Sequence, residues 1–374
     1  MKKDVIVIGG GVIGCSIALR LARAGLTVAL FERGRVGCEA SRAAAGMLSP
    51  QIEAAGRSPF LDLRLRSRSM YPDYAAALTE ASGIDVEYRD EGTLCVALSD
   101  EDAREVGAWA SWQVDAGLAL ERVSADSIRK LEPAVTETAA GAVFIPDDHQ
   151  VENRRLMDAL DLAIRRAGVE VVEGEEVAGL LIERGRVTGV ACGIRRFHSG
   201  AVVLAAGSWS SKLLEPVGLR IDVTPVRGQM VAVRRATAPI GSVLHSKGCY
   251  LVPRKDGRIL IGATVEHAGF QKAVTVRGIN SLLAAAVELV PSLGDCEVIE
   301  SWSGLRPDTP DHLPVIGESG ISNLLLATGH FRNGILLAPV TAELITDVLI
   351  NGRAPDEINH FGVERFQEKM NDAG

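Results

Sequence analysis

The chain carries no metal-ligand cluster, no disulfide framework, no basic tract and no internal repeat. Its six cysteines, at 15, 38, 95, 192, 249 and 296, are scattered, with no C-x-x-C and no Cys/His grouping. That excludes a zinc site or a stapled scaffold and fits reduced thiols in a cytoplasmic protein. No long run of Lys and Arg occurs and the formal net charge is −8, so nucleic acid is not an expected partner. No apolar stretch approaches the ~20 residues of a membrane helix, and no membrane partner is expected. Met1-Lys2-Lys3 before an apolar run imitates a secretory signal, but Asp4 and the following glycines interrupt it. His149, in the polar return Pro146 to Asn153, reads as a hydrogen-bonded surface histidine and not as a ligand. With 374 residues, 47% hydrophobic and 24% charged, the chain is globular and long enough for two domains.

Its organising stretch is Asp4 to Glu32. Val5 to Ile8 is a continuous apolar run, as a parallel strand covered on both faces requires. Gly9, Gly11 and Gly14 follow in the G-x-G-x-x-G spacing. The first permits a tight turn, the second lets backbone approach a pyrophosphate, and the third lets helix and strand pack closely. Ile13, Ile17, Leu21 and Ala24 make one apolar face of a helix over Val12 to Ala24. Its amino end would hold the pyrophosphate through free N–H groups and the positive end of the helix dipole. A second strand, Thr27 to Phe31, ends at Glu32, where an acid accepts ribose hydroxyls and disfavours a 2′-phosphate. The motif predicts an adenine dinucleotide, FAD or NAD.

Ser41 to Gly46 is crowded with small residues. It suits either a backbone passing close to something flat or a loop entering a helix. Phe60 to Ser82 predicts one helix, and Thr93 to Leu98 a strand. Helices are expected at Asp100 to Gly117 and Arg154 to Ala167, strands at Ala142 to Ile145 and Val169 to Val172, and a hairpin at Val177 to Cys192. After the buried strand Ala201 to Ala205 the pattern becomes β from Asp222 to Gly262. These strands read as long and antiparallel, with Lys255-Asp256-Gly257 as a hairpin turn. The chain closes with a helix at Thr275 to Val290, strands at Glu297 to Arg306 and Leu324 to Ala327, and a last helix near Ile335 to Ile350.

Tyr250, Arg306 and Arg332 are polar groups set in or beside apolar stretches. Arg332 directly precedes a helix N-terminus, where the dipole favours anions. An anionic ligand group would relieve that conflict, since the arginine fork donates two parallel hydrogen bonds to a carboxylate. The alternative is a pair of structural arginines bonding loop carbonyls.

GHFRNGILLAP (Gly329 to Pro339) resembles the flavin loop of glycine oxidases, within the D-amino-acid-oxidase family of FAD enzymes. The resemblance extends in order through GGGVIG with Glu32-Arg33, SRAAAGML at 41–48, LAAGSWS at 204–210, CYLVPRKDGRILIGAT at 249–264 and GLRPDTPDHLPVIG at 304–317. It implies an α/β architecture: a Rossmann-like, GR2-type FAD-binding domain with an inserted antiparallel-sheet α+β substrate domain. The boundaries it implies are 1–82, 147–220 and 305–374 for FAD, with 83–146 and 221–304 for substrate. Non-covalent FAD would then be held by Gly9, Gly11, Val12, Ile13, Gly14, Glu32, Arg33, Ala40, Ser41, Ala45, Gly46, Met47 and Val177. The flavin loop His330, Phe331, Arg332, Asn333, Gly334, Ile335 and Leu336 completes that set. Tyr250 and Arg306 would hold the substrate carboxylate, with Arg332 at the substrate and flavin edge.

The activity implied is oxidative deamination of glycine, sarcosine or small D-amino acids, feeding thiamine thiazole synthesis. Hydride passes from Cα to flavin N5 and dioxygen, the second substrate, becomes hydrogen peroxide. A homo-tetramer is expected by resemblance alone. Glycine oxidases carry a histidine where this chain has Gly248 and a methionine where it has Val265, both on the substrate side, so the preferred small amine stays open. Alternatives are a D-amino acid dehydrogenase passing electrons to a quinone, and an NAD-linked dehydrogenase.

Overall fold

The computed structural model describes residues 2–235, 239–352 and 355–366. Met1 and 367–374, the outer ends of the expected FAD-binding segments, lie outside them, as do 236–238 and 353–354.

Two eight-stranded sheets dominate. In the first, Lys3–Ile8 lies parallel between Arg195–Leu204 and Val28–Glu32; Glu170–Glu173 adds in parallel beyond Val28–Glu32, and Leu324–Thr328 beyond Arg195–Leu204. The hydrophobic run Val5–Ile8 is buried throughout, which is the centre of a sheet covered on both faces. The helix Val12–Arg23 packs on it beneath the last helix, Gly334–Asn351. A Cβ on Gly14 would overlap the Gly9 carbonyl, so the third fingerprint glycine serves helix–strand packing.

The second sheet runs Glu297–Asp308, Thr224–Arg234, Arg258–Gly262, Tyr250–Pro253, Val243–His245, Thr93–Ala97, Gly141–Ile145, Glu121–Val123. The Lys255-Asp256-Gly257 hairpin forms as expected, pairing Pro253 with Ile259. Two expectations need correction. The sheet is not purely antiparallel, because Val243–His245 runs parallel to Thr93–Ala97. Its strands are also uneven: Thr224–Arg234 and Glu297–Asp308 are long, whereas Tyr250–Pro253 spans four residues.

The expected helix over Phe60 to Ser82 is two helices, Pro59–Ser69 and Tyr71–Ser82, meeting at Met70. Pro72 sits in the first turn of the second, where its missing N–H and its ring are tolerated, whereas in a helix interior they break the ladder. The last helix also corrects the expectation that no apolar stretch approaches membrane length. Gly334–Asn351 has 18 residues with mean hydropathy 1.5, and 67% of it is buried in the protein, against Val12–Arg23 and Pro59–Ser69. Pro339 inside it cannot donate to the Ile335 carbonyl. The Tyr71 hydroxyl donates to that carbonyl instead, and Ser67 Oγ donates to Leu336 O at 2.6 Å.

Candidate active site

One cavity of about 630 Å³ runs from the fingerprint turn to the second sheet. All the residues expected to touch cofactor or substrate line it except Gly14, which is packed against Gly9.

Two helix N-termini border this cavity. Val12–Arg23 and Gly334–Asn351 both begin without a side-chain cap and without an acid in the first turn. Their uncommitted N–H groups and dipoles suit negatively charged groups. Val12 N–H donates to Ser41 Oγ at 2.9 Å, but a Cβ on Gly11 would meet only that oxygen, at 3.3 Å. The space in front of the turn is therefore open to a ligand. Glu32 accepts from Gly10 N–H and Gly34 N–H, both at 2.8 Å, which pins its carboxylate at the end of its strand beside Arg33.

The small-residue stretch combines both readings. Ala40–Ala43 is a single helical turn, and the chain then extends to Met47–Leu48. It is clamped from behind. Asn153 Nδ2 donates to Ser41 O and Arg42 O at 2.9 and 3.0 Å, and Trp302 Nε1 to Ala43 O at 3.0 Å. Buried Arg254 donates to Ala45 O at 2.6 Å and to Val151 O and Gln150 Oε1 at 3.0 Å. Burial pulls the Arg254 pKa down to about 10, with Glu152 opposing, so it keeps its charge at neutral pH. Ala45, Gly46 and Met47 thereby present a fixed wall to the cavity, as a planar ring system requires.

At the other end, the second sheet supplies Tyr250 and Arg306. Space for both is cleared by glycine: a Cβ on Gly228 would overlap the Arg306 guanidinium, and one on Gly262 would overlap the Tyr250 ring and Met230. Arg306 Nη1 donates to Thr264 O at 3.1 Å, so the structural-arginine reading holds for one of its nitrogens. Tyr250 Oη lies 3.3 Å from Met230 Sδ. Burial raises the Tyr250 pKa, against the pull of the Arg306 and Arg332 charges, and burial lowers that of Arg306. At neutral pH the phenol keeps its proton and remains a donor.

Arg332 already has an anion. Its Nη1 lies 2.6 Å from Glu53 Oε1 at the cavity rim. His330 and Phe331 line the cavity while their rings brace the loop. His330 Nε2 is 3.1 Å from Thr341 Oγ1, and burial pushes its pKa down to about 3. Phe331 stacks on His312 at 5.2 Å and Phe331 N–H donates to Pro307 O at 2.9 Å. His149 bonds the Tyr88 hydroxyl through Nδ1 at 2.6 Å, off the cavity.

Sequence reasoning missed Glu53, His245, Trp209 and Arg254. His245 lies opposite Tyr250 in the hairpin register, and burial holds its pKa below the ordinary imidazole value. Arg254 left a trace as a charge directly after the apolar strand Tyr250–Pro253, and Trp209 as part of LAAGSWS at 204–210.

A family model of FAD dependent oxidoreductases (DAO) matches residues 4–348. The chain is 37% identical over 373 residues to a glycine oxidase of Geobacillus kaustophilus, covering 99% of this chain and 98% of that protein. It is 38% identical to a glycine oxidase of Pseudomonas aeruginosa, covering 95% and 96%. It is also 38% identical to a bifunctional protein ThiO/ThiG of Trichormus variabilis, covering 99% of this chain and 56% of that protein. The chain thus spans little more than half the length of these bifunctional relatives. A crystal structure of the Geobacillus kaustophilus glycine oxidase superposes with a TM-score of 0.93 at 36% identity, covering 97% and 98%. The open glycine turn, the two uncapped helix ends and the fixed wall at 45–47 fit FAD. The chain belongs to the DAO family of FAD-dependent oxidoreductases.

Proposed function

We propose that this protein oxidises glycine and other small amines or amino acids, such as sarcosine and small D-amino acids, with dioxygen as acceptor. The observation that carries it is the convergence of Arg306 and the Tyr250 phenol on the cavity end where the uncapped helix Gly334–Asn351 begins. Such a pair suits a small carboxylate beside a group that becomes electron-rich.

Arg306 and Tyr250 hold the carboxylate and Arg332 closes the rim. His245, neutral at pH 7, lines the substrate side beside Tyr250. Bound FAD supplies the hydride acceptor and, with dioxygen, the route to hydrogen peroxide. The protein contributes position and electrostatics more than acid–base groups. Residues 1–82, 147–220 and 305–374 hold the cofactor, while 83–146 and 221–304 carry the substrate wall. Strand membership of the two sheets supports that division for most segments. The long strand Glu297–Asp308 crosses the 304/305 boundary.

The names of the ThiO/ThiG relatives support a role in supplying an imino acid for thiamine thiazole synthesis. A homo-tetramer, from family resemblance, and a cytoplasmic location, from the scattered cysteines, are part of the same reading. The test is peroxide formation by the purified yellow protein with glycine, sarcosine, D-alanine and D-proline. Peroxide from glycine supports the reading. Substrate bleaching followed by slow reoxidation in air points to a quinone-linked dehydrogenase and overturns it.

A further inference from the structure

At the dinucleotide end of the cavity, a second cluster is built from both sheets. The Arg33 guanidinium lies 3.6 Å over the Trp209 ring. Trp209 packs against Phe270 with ring centres 5.4 Å apart, and Lys212 Nζ sits 4.6 Å over the Phe270 ring. Alongside, Lys272 Nζ reaches both oxygens of Glu39 at 2.9 and 3.1 Å, and Arg33 Nη2 shares the same carboxylate at 2.8 Å. Arg33, Glu39, Trp209 and Lys212 all line the cavity, near Glu32 and Val177.

Phe270 and Lys272 come from elsewhere. They lie in the connection between the strand Arg258–Gly262 and the helix Val276–Leu289 of the second sheet. That connection is tied to its own sheet at several points, including a bond that Arg227 Nη1 donates to Gln271 O at 3.5 Å. Glu266 and Arg227 exchange backbone hydrogen bonds at 2.9 and 3.0 Å, and Ser303 Oγ donates to Lys272 O at 2.7 Å. From this anchored backbone two side chains reach across to the first-sheet side of the cavity, Phe270 onto Trp209 and Lys272 onto Glu39. Phe270 keeps 42% of its surface exposed, so its contact is with this ladder and not with a core. An aromatic pair flanked by two cations is a geometry with its own attraction beyond area burial.

We infer that residues 267–273 form a strap across the dinucleotide end of the cavity, clasped by Phe270 on Trp209 and Lys272 on Glu39, and that this clasp sets how slowly FAD leaves. The inference rests on FAD occupying the fingerprint end, as family membership requires. It does not depend on which amine is oxidised.

The experiment follows flavin fluorescence as holoenzyme is diluted, since free FAD fluoresces more than the bound form. Wild type is compared with Phe270→Ala, Lys272→Met and the double variant, with melting of each apoprotein measured in parallel. Phe270→Ala should release FAD roughly tenfold faster, the size expected when an aromatic pair and a cation–π contact are lost together. Lys272→Met should release it roughly threefold faster, as for a half-exposed ion pair. Apoprotein melting should stay within a degree or two, because both residues lie on the surface. Wild-type release rates in both single variants would overturn the strap, as would faster release matched by a large loss of apoprotein stability. Glycine oxidation failing while release still accelerates would instead sink the proposed activity and leave the strap standing.

Discussion

Arg332 Nη1 sits 2.6 Å from Glu53 Oε1 across the cavity rim. One residue belongs to the turn before the last helix and the other to the loop after Met47–Leu48. The carboxylate of Glu53 therefore occupies the anionic partnership that the position of Arg332, beside a helix N-terminus, calls for. A substrate carboxylate arriving there competes with it. Glu53→Gln should lower KM for glycine by roughly fivefold, the size of a partly exposed ion pair near 1 kcal/mol, with kcat little changed. Steady-state kinetics check this, and an unchanged or higher KM contradicts it.

Among the described residues no carboxylate forms an ion pair with Arg306, whose Nη1 donates to Thr264 O. Arg306→Ala should cost about 3 kcal/mol in kcat/KM, roughly 150-fold, as for the loss of one partner of a buried charged pair. The visible flavin spectrum should persist. Wild-type kinetics in this variant would remove Arg306 from the site.

Tyr250→Phe is the milder change. It deletes one hydroxyl while Gly262 still leaves room for the ring. The expected loss is about 1–2 kcal/mol in kcat/KM, read from the same kinetics. A loss as large as that of Arg306→Ala would mean that the phenol does more than hold the carboxylate.

The fingerprint glycines should separate by phenotype. A Cβ on Gly11 would meet only the Ser41 hydroxyl, at 3.3 Å, so Gly11→Val should fold and purify without flavin. Gly14→Ala should fold poorly, because its Cβ would overlap the Gly9 carbonyl. Absorbance at flavin wavelengths and circular dichroism distinguish the two. A fully flavinated Gly11→Val protein contradicts this assignment.

Asp148 is fully buried, and burial pushes its carboxyl pKa up to about 7, opposed by Arg68 and the facing Ser49 and Thr93 hydroxyls and reinforced by Asp147. The folded state thus keeps a proton that the unfolded chain loses near pH 4. Stability from this group falls as pH rises from about 4 to 7 and is level above, by about 1.4 kcal/mol per unit across the window. Asp148→Asn should flatten that slope in denaturant titrations between pH 5 and 7. An identical slope in the variant would assign it to other groups.

Much of the first sheet was legible because its signals are local. A four-residue apolar run, three glycines and one acid specify strand, turn, helix and strand within 29 residues of chain. The flavin loop was legible through its motif. What stayed hidden depends on distant partners. Nothing near Glu53 announces Arg332, and nothing near Phe270 announces Trp209. The parallel pairing of Val243–His245 with Thr93–Ala97 joins segments about 150 residues apart and leaves no periodic trace. The break at Met70 was the reverse case: Pro72 marked it, and the apolar spacing running through it outweighed that signal.

Adding glycine to the purified protein without oxygen and then admitting air is the most direct test of glycine oxidation. Loss of the oxidised flavin absorbance on glycine, its rapid return in air and one hydrogen peroxide per flavin turned over are the predicted result. A flavin spectrum indifferent to glycine and to the other small amines, or a protein that binds no flavin, would contradict it.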